Sequence, residues 1–490
     1  MTERAKTVHF IGICGAGMSA VAKLMQDDGW NVSGSDNGFY PPVSTFLEQE
    51  GLSCKTPYAP ENIPPECALV VIGKHAKLTP EQNAEVKSAF ERQAKGEVAI
   101  VSYPQVLNLL TQSTHNIVVV GSYGKSTTTT LLAWSLAHAG VDPSYFIGAI
   151  PLDFTANASR GTGKFFVLEG DEYPSANWDS SPKFLHYNAG TVLLTSCEHD
   201  HFNEFPTLAS YLTPYRKLLS TLTADNLLIA CLDGKEVQNV IRDTKARVVT
   251  YSGQNNPNAD WFVSAIALNE AHTRFTVCKR NQQTREIVQE IEITTQLLGE
   301  HNVQNIVGCV ATLVEQNALE ARAIQDAIAA FRGIRRRLEI KSNTSSVFLY
   351  EDLSSSRPKA VAALQALQER HPQSHIYAIF QPHTFSFRSR QALDWYPLMF
   401  KGVHSVLVFS PPNLRGLSGA EQLSHEEIWD AINHGNTCPV IPVANAEEII
   451  QNLNHASLSR GDVVIFMTSG GMEGSIQPVI EWFEKEYPSA

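Results

Sequence analysis

The chain has 490 residues, of which 43% are hydrophobic and 18% charged. This composition argues against a disordered chain, and the length calls for roughly two or three hydrophobic cores rather than one. The formal charge of −12 disfavours nucleic acid or an anionic membrane as the main partner, but permits anionic substrates held by local basic groups.

The N-terminus lacks the apolar core and cleavage site of a signal peptide, and no apolar run reaches the ~20 residues that cross a bilayer. The eight cysteines include no CxxC pair, so neither a zinc cluster nor a disulfide framework is expected. Reduced thiols and a cytoplasmic location are.

In chain order, three segments each open on a hydrophobic strand and continue in strand–helix alternation, which predicts α/β layers with mainly parallel sheets. The first opens with Val8–Ile11, includes a strand at Ala68–Ile72, and ends in the polar linker around 111–116. The second opens with Ile117–Val120, runs to about Gly333, and contains a polar stretch, Gly253–Asp260, that reads as a surface loop. The third opens near Ser346–Tyr350, with further strands expected at Ile376–Phe380, Val406–Phe409 and Val463–Met467.

The glycine turn Gly12-Ile-Cys-Gly15-Ala-Gly17-Met18 follows the first strand, and Ser35-Asp36 closes the next strand about 20 residues on. This is a dinucleotide-like fingerprint, and it serves any pyrophosphate. Read alone it also allows an NAD-dependent oxidoreductase, which would leave the later motifs without a role.

The strongest signal is Gly121-Ser122-Tyr-Gly124-Lys125-Ser126-Thr127, between a strand and a helical pattern. Such a turn closes backbone N–H groups around phosphate oxygens, with Lys125 bridging the terminal phosphates and the Ser126 hydroxyl offered to Mg²⁺. Its glycines are two residues apart rather than the usual four, a shorter variant.

Strand Phe165–Leu168 then leads into Glu169-Gly-Asp171-Glu172. Glu169 is a candidate Mg²⁺ ligand, and Asp171 or Glu172 a candidate for orienting water or substrate. A second strand leads into Glu198-His-Asp200-His201, a borderline metal position; an ordinary helix cap from Asp200 is the plainer alternative. Asn302 and Asn305 lie three apart on one helix face, placed to bond an adenine edge or to cap. The triplet Arg335-Arg336-Arg337 is either a solvated face or a clamp on a transferring phosphoryl group. Arg388 and Arg390 are candidates for bidentate pairing with substrate carboxylates.

Together these motifs resemble the Mur ligase family, in order and over nearly the whole chain. The resemblance implies three domains: a UDP-sugar-binding Rossmann-like domain at 1–112, a central P-loop-type ATPase at 113–333 and a Rossmann-like acceptor domain at 334–490. It implies ATP and Mg²⁺, with Gly121, Ser122, Gly124, Lys125, Ser126, Thr127, His301, Asn302, Asn305, Arg337 and Asp352 on the nucleotide. Ser126, Glu169 and His201 would serve the metal, and Gly15, Gly17, Met18, Ser35, Asp36 and His75 the UDP-sugar.

The segments Gly34–Asp36 with Tyr40–Thr45, Ile72–Ala76, Ser102–Pro104, Phe146–Gly148 and Glu169–Tyr173 with Pro182–Phe184 resemble one branch in particular. That branch attaches L-alanyl-γ-D-glutamyl-meso-diaminopimelate to UDP-N-acetylmuramate in peptidoglycan recycling. Gln381-Pro-His383 with Phe385 leans towards the L-alanine-adding sister. Leu353-Ser-Ser-Ser-Arg-Pro358 departs from both, lacking a histidine found there in relatives and carrying one extra residue. A catalytically silent nucleotide-binding relative is the reading that this departure motivates.

Overall fold

The strand–helix alternation resolves into three main sheets. The computed structural model describes residues 6–40, 43–202, 204–268, 272–412, 422–456 and 458–489; Pro41 and Pro42 of the Tyr40–Thr45 segment lie outside these residues.

The first sheet is parallel throughout, in the order Ser53–Lys55, Asn31–Ser35, Thr7–Ile11, Leu69–Ile72, Ala99–Val101. Strand order reverses beside Thr7–Ile11, so the glycine turn after Ile11 opens at the switch point, where α/β sheets bind ligands.

The central sheet has ten strands. Its middle is parallel, with His115–Val120 flanked by Phe165–Glu169 and Thr191–Leu194. Helices cover both faces of such a sheet, which is why these strands are continuous Val/Ile/Leu runs rather than alternating ones; Ile117 to Val120 and Val192 to Leu194 are fully buried. Each such side chain gains roughly 1.5–3 kcal/mol from burial. The sheet's far end changes character: Trp261–Leu268, Thr273–Arg280 and Ile287–Thr295 pair antiparallel. Thr273–Arg280 and Ile287–Thr295 show partial alternation of buried and exposed positions, as expected where one face meets water.

The third sheet runs Glu339–Ile340, Phe348–Asp352, Val463–Met467, Ile376–Phe380, Ser405–Phe409, Val440–Val443, and is parallel except for its first pair.

The loop Gly253–Asp260 is anchored at its ends. Asp233 accepts hydrogen bonds from Ser252 Oγ at 2.5 Å and the Gly253 N–H at 2.7 Å, and Gly253, Ala259 and Asp260 are buried. The expected surface loop is present: Gln254, Asn255, Pro257 and Asn258 are exposed, and only the two ends turn inward.

Each sheet sends one strand–loop–helix start to the same place. Helices Ala16–Asp27, Lys125–His138 and Arg357–Arg370 all begin at the wall of one cavity of about 740 Å³. Its lining includes Gly17 from the first unit, Lys125 and Glu169 from the second, and Arg337 and Lys359 from the third.

Candidate functional site

The turn between His115–Val120 and Lys125–His138 is shaped by two glycines. Gly124 sits in the left-handed region (φ 80°), and a Cβ there would meet Asn305 Oδ1 at 2.2 Å. Gly121 (φ 138°) would likewise drive a Cβ to 2.2 Å from Thr195 Oγ1. Side chains are therefore excluded on both flanks, which leaves Lys125, Ser126 and Thr127 at the open helix end, where backbone N–H groups and the helix dipole favour an anion.

Lys125 Nζ donates to the Gly121 carbonyl at 2.5 Å and lies 2.9 Å from Glu172 Oε2. Burial works against the ammonium, but the Glu172 carboxylate outweighs it and raises the Lys125 pKa, so the cation is secure. Glu172, only 1% exposed, also meets His201 Nε2 at 2.9 Å through Oε1. A carboxylate can only accept, so the ring proton belongs on Nε2, and Nδ1 accepts from the Tyr173 hydroxyl at 2.8 Å. Glu172 thus bridges the Lys125 ammonium and the His201 ring.

Beside it, Ser126 Oγ donates to Glu169 Oε1 at 2.8 Å, while Glu169 Oε2 accepts the Gly148 N–H at 2.7 Å. Burial raises the Glu169 pKa. Asp171 also suffers burial, but the Lys183 ammonium 2.5 Å away more than compensates and lowers its pKa.

The donor set suits Mg²⁺ in part. A hydroxyl and a carboxylate side by side at a phosphate-type turn are hard oxygen donors, and Mg²⁺ takes one or two carboxylates plus substrate phosphates rather than a full protein cage. Accordingly, among the described residues no three His, Cys, Asp or Glu side chains form a ready metal site. His201 is committed to Glu172 and Tyr173 and must leave Glu172 before its Nε2 can bind a metal.

From the third unit, Arg337 reaches the cavity wall and makes no hydrogen bond or ion pair among the described residues. Its neighbour Arg336 is consumed structurally, pairing with Glu351 at 2.9 Å and donating to the carbonyls of Thr468 and Gly470. Asp352 accepts from the Leu338 N–H at 3.1 Å and from Ser354 Oγ at 2.7 Å, bracing the turn that carries Arg337. His301, Asn302 and Asn305 line the same cavity. Burial lowers the His301 pKa, and Asn305 Nδ2 donates to Asn302 Oδ1 at 3.1 Å.

Two family models match the chain: "Mur ligase family, catalytic domain" over residues 7–114 and "Mur ligase middle domain" over residues 119–313. Between them they account for more than half of its length.

The chain belongs to the Mur ligase family.

Mur ligases are ATP-dependent enzymes that form C–N bonds, and this chain is one of them. It is 26% identical to the UDP-N-acetylmuramate–L-alanyl-γ-D-glutamyl-meso-2,6-diaminoheptandioate ligase of Haemophilus influenzae, over 97% of this chain and 99% of that one. It is 28% identical to the UDP-N-acetylmuramate–L-alanine ligase of a Psychrobacter species, over 83% of this chain and 81% of the other. The fold matches that of the UDP-N-acetylmuramate–alanine ligase from Thermotoga maritima, with TM-score 0.75 and 21% identity, covering 98% of this chain and 99% of that one.

Within this Mur ligase fold, the structure brings Gly17, Ser122, Gly124, Lys125, Ser126, Thr127, Glu169, His201, His301, Asn302, Asn305, Arg337 and Asp352 to one cavity. Other predicted residues lie elsewhere or are already occupied. Ser35 is buried, and its hydroxyl donates to Glu85 Oε1 at 2.7 Å, within a network that also holds His9. Met18 packs into the apolar core. Gly15 caps the helix that follows it. Asp36 accepts the Cys14 N–H at 2.9 Å and the Tyr58 hydroxyl at 3.0 Å, bracing the glycine turn. His75 is exposed and does not line the cavity.

The two acceptor arginines are corrections. Arg388 is buried and donates to the carbonyls of Leu423 and Pro412 and to Gln422 Oε1, so its guanidinium is spent inside the third unit. Arg390 pairs on the surface with Glu427 at 3.1 Å, away from the cavity lining. Arginine spacing alone does not reveal which carbonyls a fold will bring against it.

Sequence reasoning missed Lys183 and Lys359, both on the cavity wall. Lys359 carried one legible signal: a cation in the first turn of a helix opposes the helix dipole, and so calls for a compensating partner.

Proposed function

We propose that this ligase joins the carboxylate of UDP-N-acetylmuramate to the amine of L-alanyl-γ-D-glutamyl-meso-diaminopimelate through an acyl-phosphate, in the cytoplasm, as a step of peptidoglycan recycling. The observation that carries the chemistry is the convergence of Lys125, Ser126 and Glu169 at a glycine-flanked helix end inside a cavity bounded by all three units. We assign the three roles to residues 1–112 for the UDP-sugar, 113–333 for ATP and 334–490 for the acceptor.

In this reading the sugar carboxylate attacks the γ-phosphorus of ATP, and the bond to the bridging oxygen of ADP breaks. Lys125 leaves Glu172 for the terminal phosphates and offsets the charge that develops there. Ser126, Glu169 and, once released from Glu172, His201 would hold Mg²⁺, which neutralises phosphate charge when bound. Arg337, which makes no hydrogen bond or ion pair among the described residues, faces a phosphate. Asn302 and Asn305 serve the adenine side. The acceptor amine then attacks the acyl carbon, its nitrogen gives up one proton to solvent or to a basic group, and phosphate departs to leave the amide. Coupling to ATP is required because a free carboxylate is a poor electrophile.

The tripeptide reading is supported by the segments Gly34–Asp36, Phe146–Gly148 and Glu169–Tyr173 together with the match to the Haemophilus influenzae enzyme. L-alanine is the second reading, supported by comparable identity to L-alanine ligases. Phosphate release from ATP, measured with UDP-N-acetylmuramate and either acceptor, separates them. The proposal expects release with the tripeptide at a kcat/KM at least about tenfold above that with L-alanine, a difference of ~1.4 kcal/mol. The reverse order selects the L-alanine reading. Nucleotide binding without turnover for any acceptor selects a silent relative.

A further inference from the structure

Helix Arg357–Arg370 opens the third unit towards the cavity with Pro358 and Lys359 in its first turn. Lys359 stands there against two penalties. Its pKa is lowered, by burial first of all, and the positive end of the helix dipole disfavours a cation in that turn. Only a specific electrostatic reason keeps such a group charged and inward-facing.

The structure supplies part of that reason. Lys359 Nζ lies 3.4 Å from Asp200 Oδ2 and 3.2 Å from Ser355 Oγ. Asp200 Oδ1 accepts the His201 N–H at 2.8 Å, so the same carboxylate steadies His201, and the Lys359 ammonium is among the groups that lower the Asp200 pKa. The ammonium also stands 5.3 Å from the ring of Tyr123, which lies between the two glycines of the phosphate-type turn. It is close enough to Lys125 for the two cations to repel. Arg337 lines the same wall, so Lys125, Lys359 and Arg337 converge near one turn, Lys125 held by Glu172 and Lys359 by Asp200. An anion between Lys359 and Lys125 would relieve that repulsion.

We propose that Lys359 is a contact from the third unit to the terminal phosphoryl group of the nucleotide, in addition to Arg337 and facing the turn that carries Lys125. This rests on the nucleotide site proposed above, but on no choice of sugar or acceptor. Asp200 is its positioning residue: it holds the ammonium over the turn until the phosphoryl group takes over.

The test uses the full chain with Mg²⁺ and titrates ADP and the non-hydrolysable triphosphate AMP-PNP by calorimetry. Lys359→Met is expected to weaken AMP-PNP binding about tenfold while changing ADP binding less than about twofold, as for loss of one bond to a charged group. Lys359→Arg should recover AMP-PNP binding to within about threefold of the parent. Equal losses for both nucleotides, no loss for either, or an arginine variant no better than methionine would overturn the proposal.

A measurement on the unaltered protein avoids any folding defect. Amine acylation read by peptide mass spectrometry should show Lys359 protected by AMP-PNP and not by ADP; equal protection overturns the assignment. A parent protein that binds neither nucleotide overturns both this inference and the nucleotide site it rests on. A parent that binds both without discriminating through Lys359 overturns this inference alone.

Discussion

Two turns in this molecule are built alike and differ in what they can do. Residues 8–18 and 117–127 each run from a buried parallel strand through glycines into a helix, and each reaches the shared cavity. After the first turn comes Met18, buried in the core, and the nearest carboxylate, Asp36, is spent on the turn's own backbone. After the second comes Lys125, held by the buried Glu172, with Ser126 against Glu169 one residue on. A glycine turn at a helix end seats a phosphate wherever it occurs. Only the second adds a secured cation and hard oxygen donors, and those are what phosphoryl transfer requires. The lesson is that glycine spacing identifies an anion seat, whereas the side chains behind it decide between holding and reacting.

The largest expected effect comes from removing the carboxylate that sets the second turn apart. Glu172→Ala leaves Lys125 buried without its partner, a loss of ~3–5 kcal/mol. Thermal unfolding should fall sharply, and ATP should restore part of the loss by supplying another anion. An unchanged melting curve would mean that the Glu172 bridge between Lys125 and His201 does not support the turn.

Next in size is Lys125→Ala. Substrate-dependent phosphate release should drop by ~2.7–4 kcal/mol in barrier, about a hundred- to a thousandfold. Release at the parent rate would erase the distinction between the two turns.

A glycine pair sharpens the comparison further. Gly124→Ala must adopt a left-handed conformation, costing roughly 1–2 kcal/mol, and its Cβ would meet Asn305 Oδ1 at 2.2 Å. Gly17→Ala meets only the Tyr103 ring, at 3.3 Å. ATP affinity should suffer in the first variant and hold in the second; equal losses would show that both turns serve the same ligand.

The smallest effect is expected for Arg390→Ala, which removes an exposed pair worth about 0–1 kcal/mol and should leave acceptor KM unchanged. A raised acceptor KM would return Arg390 to the site.

Much of this was legible in the chain. Strand–glycine–helix alternation located the three sheets, since uniform apolar runs and turn residues report burial and backbone demand directly. Lys125 and Ser126 stood out because they follow a strand at a short offset, and Glu169 because it ends one. What escaped was long-range. Asp171 and Glu172 sit side by side in sequence, but only the fold sends one to Lys183 and the other to Lys125. Arg388 looked like a ligand-binding arginine and is saturated by carbonyls from residues more than twenty positions away. Lys359 acquires its meaning from Asp200, 159 residues earlier in the chain. Local spacing encodes turns and caps; which charge meets which is settled by tertiary packing.

The central claim is that the cavity energises the sugar's carboxylate by making it an acyl-phosphate. Supplying UDP-N-acetylmuramate labelled with ¹⁸O in its carboxylate, with ATP and the amine acceptor, tests it at the reacting bond. The account predicts that one labelled oxygen leaves with each inorganic phosphate formed. Phosphate released at the full rate without label would contradict it.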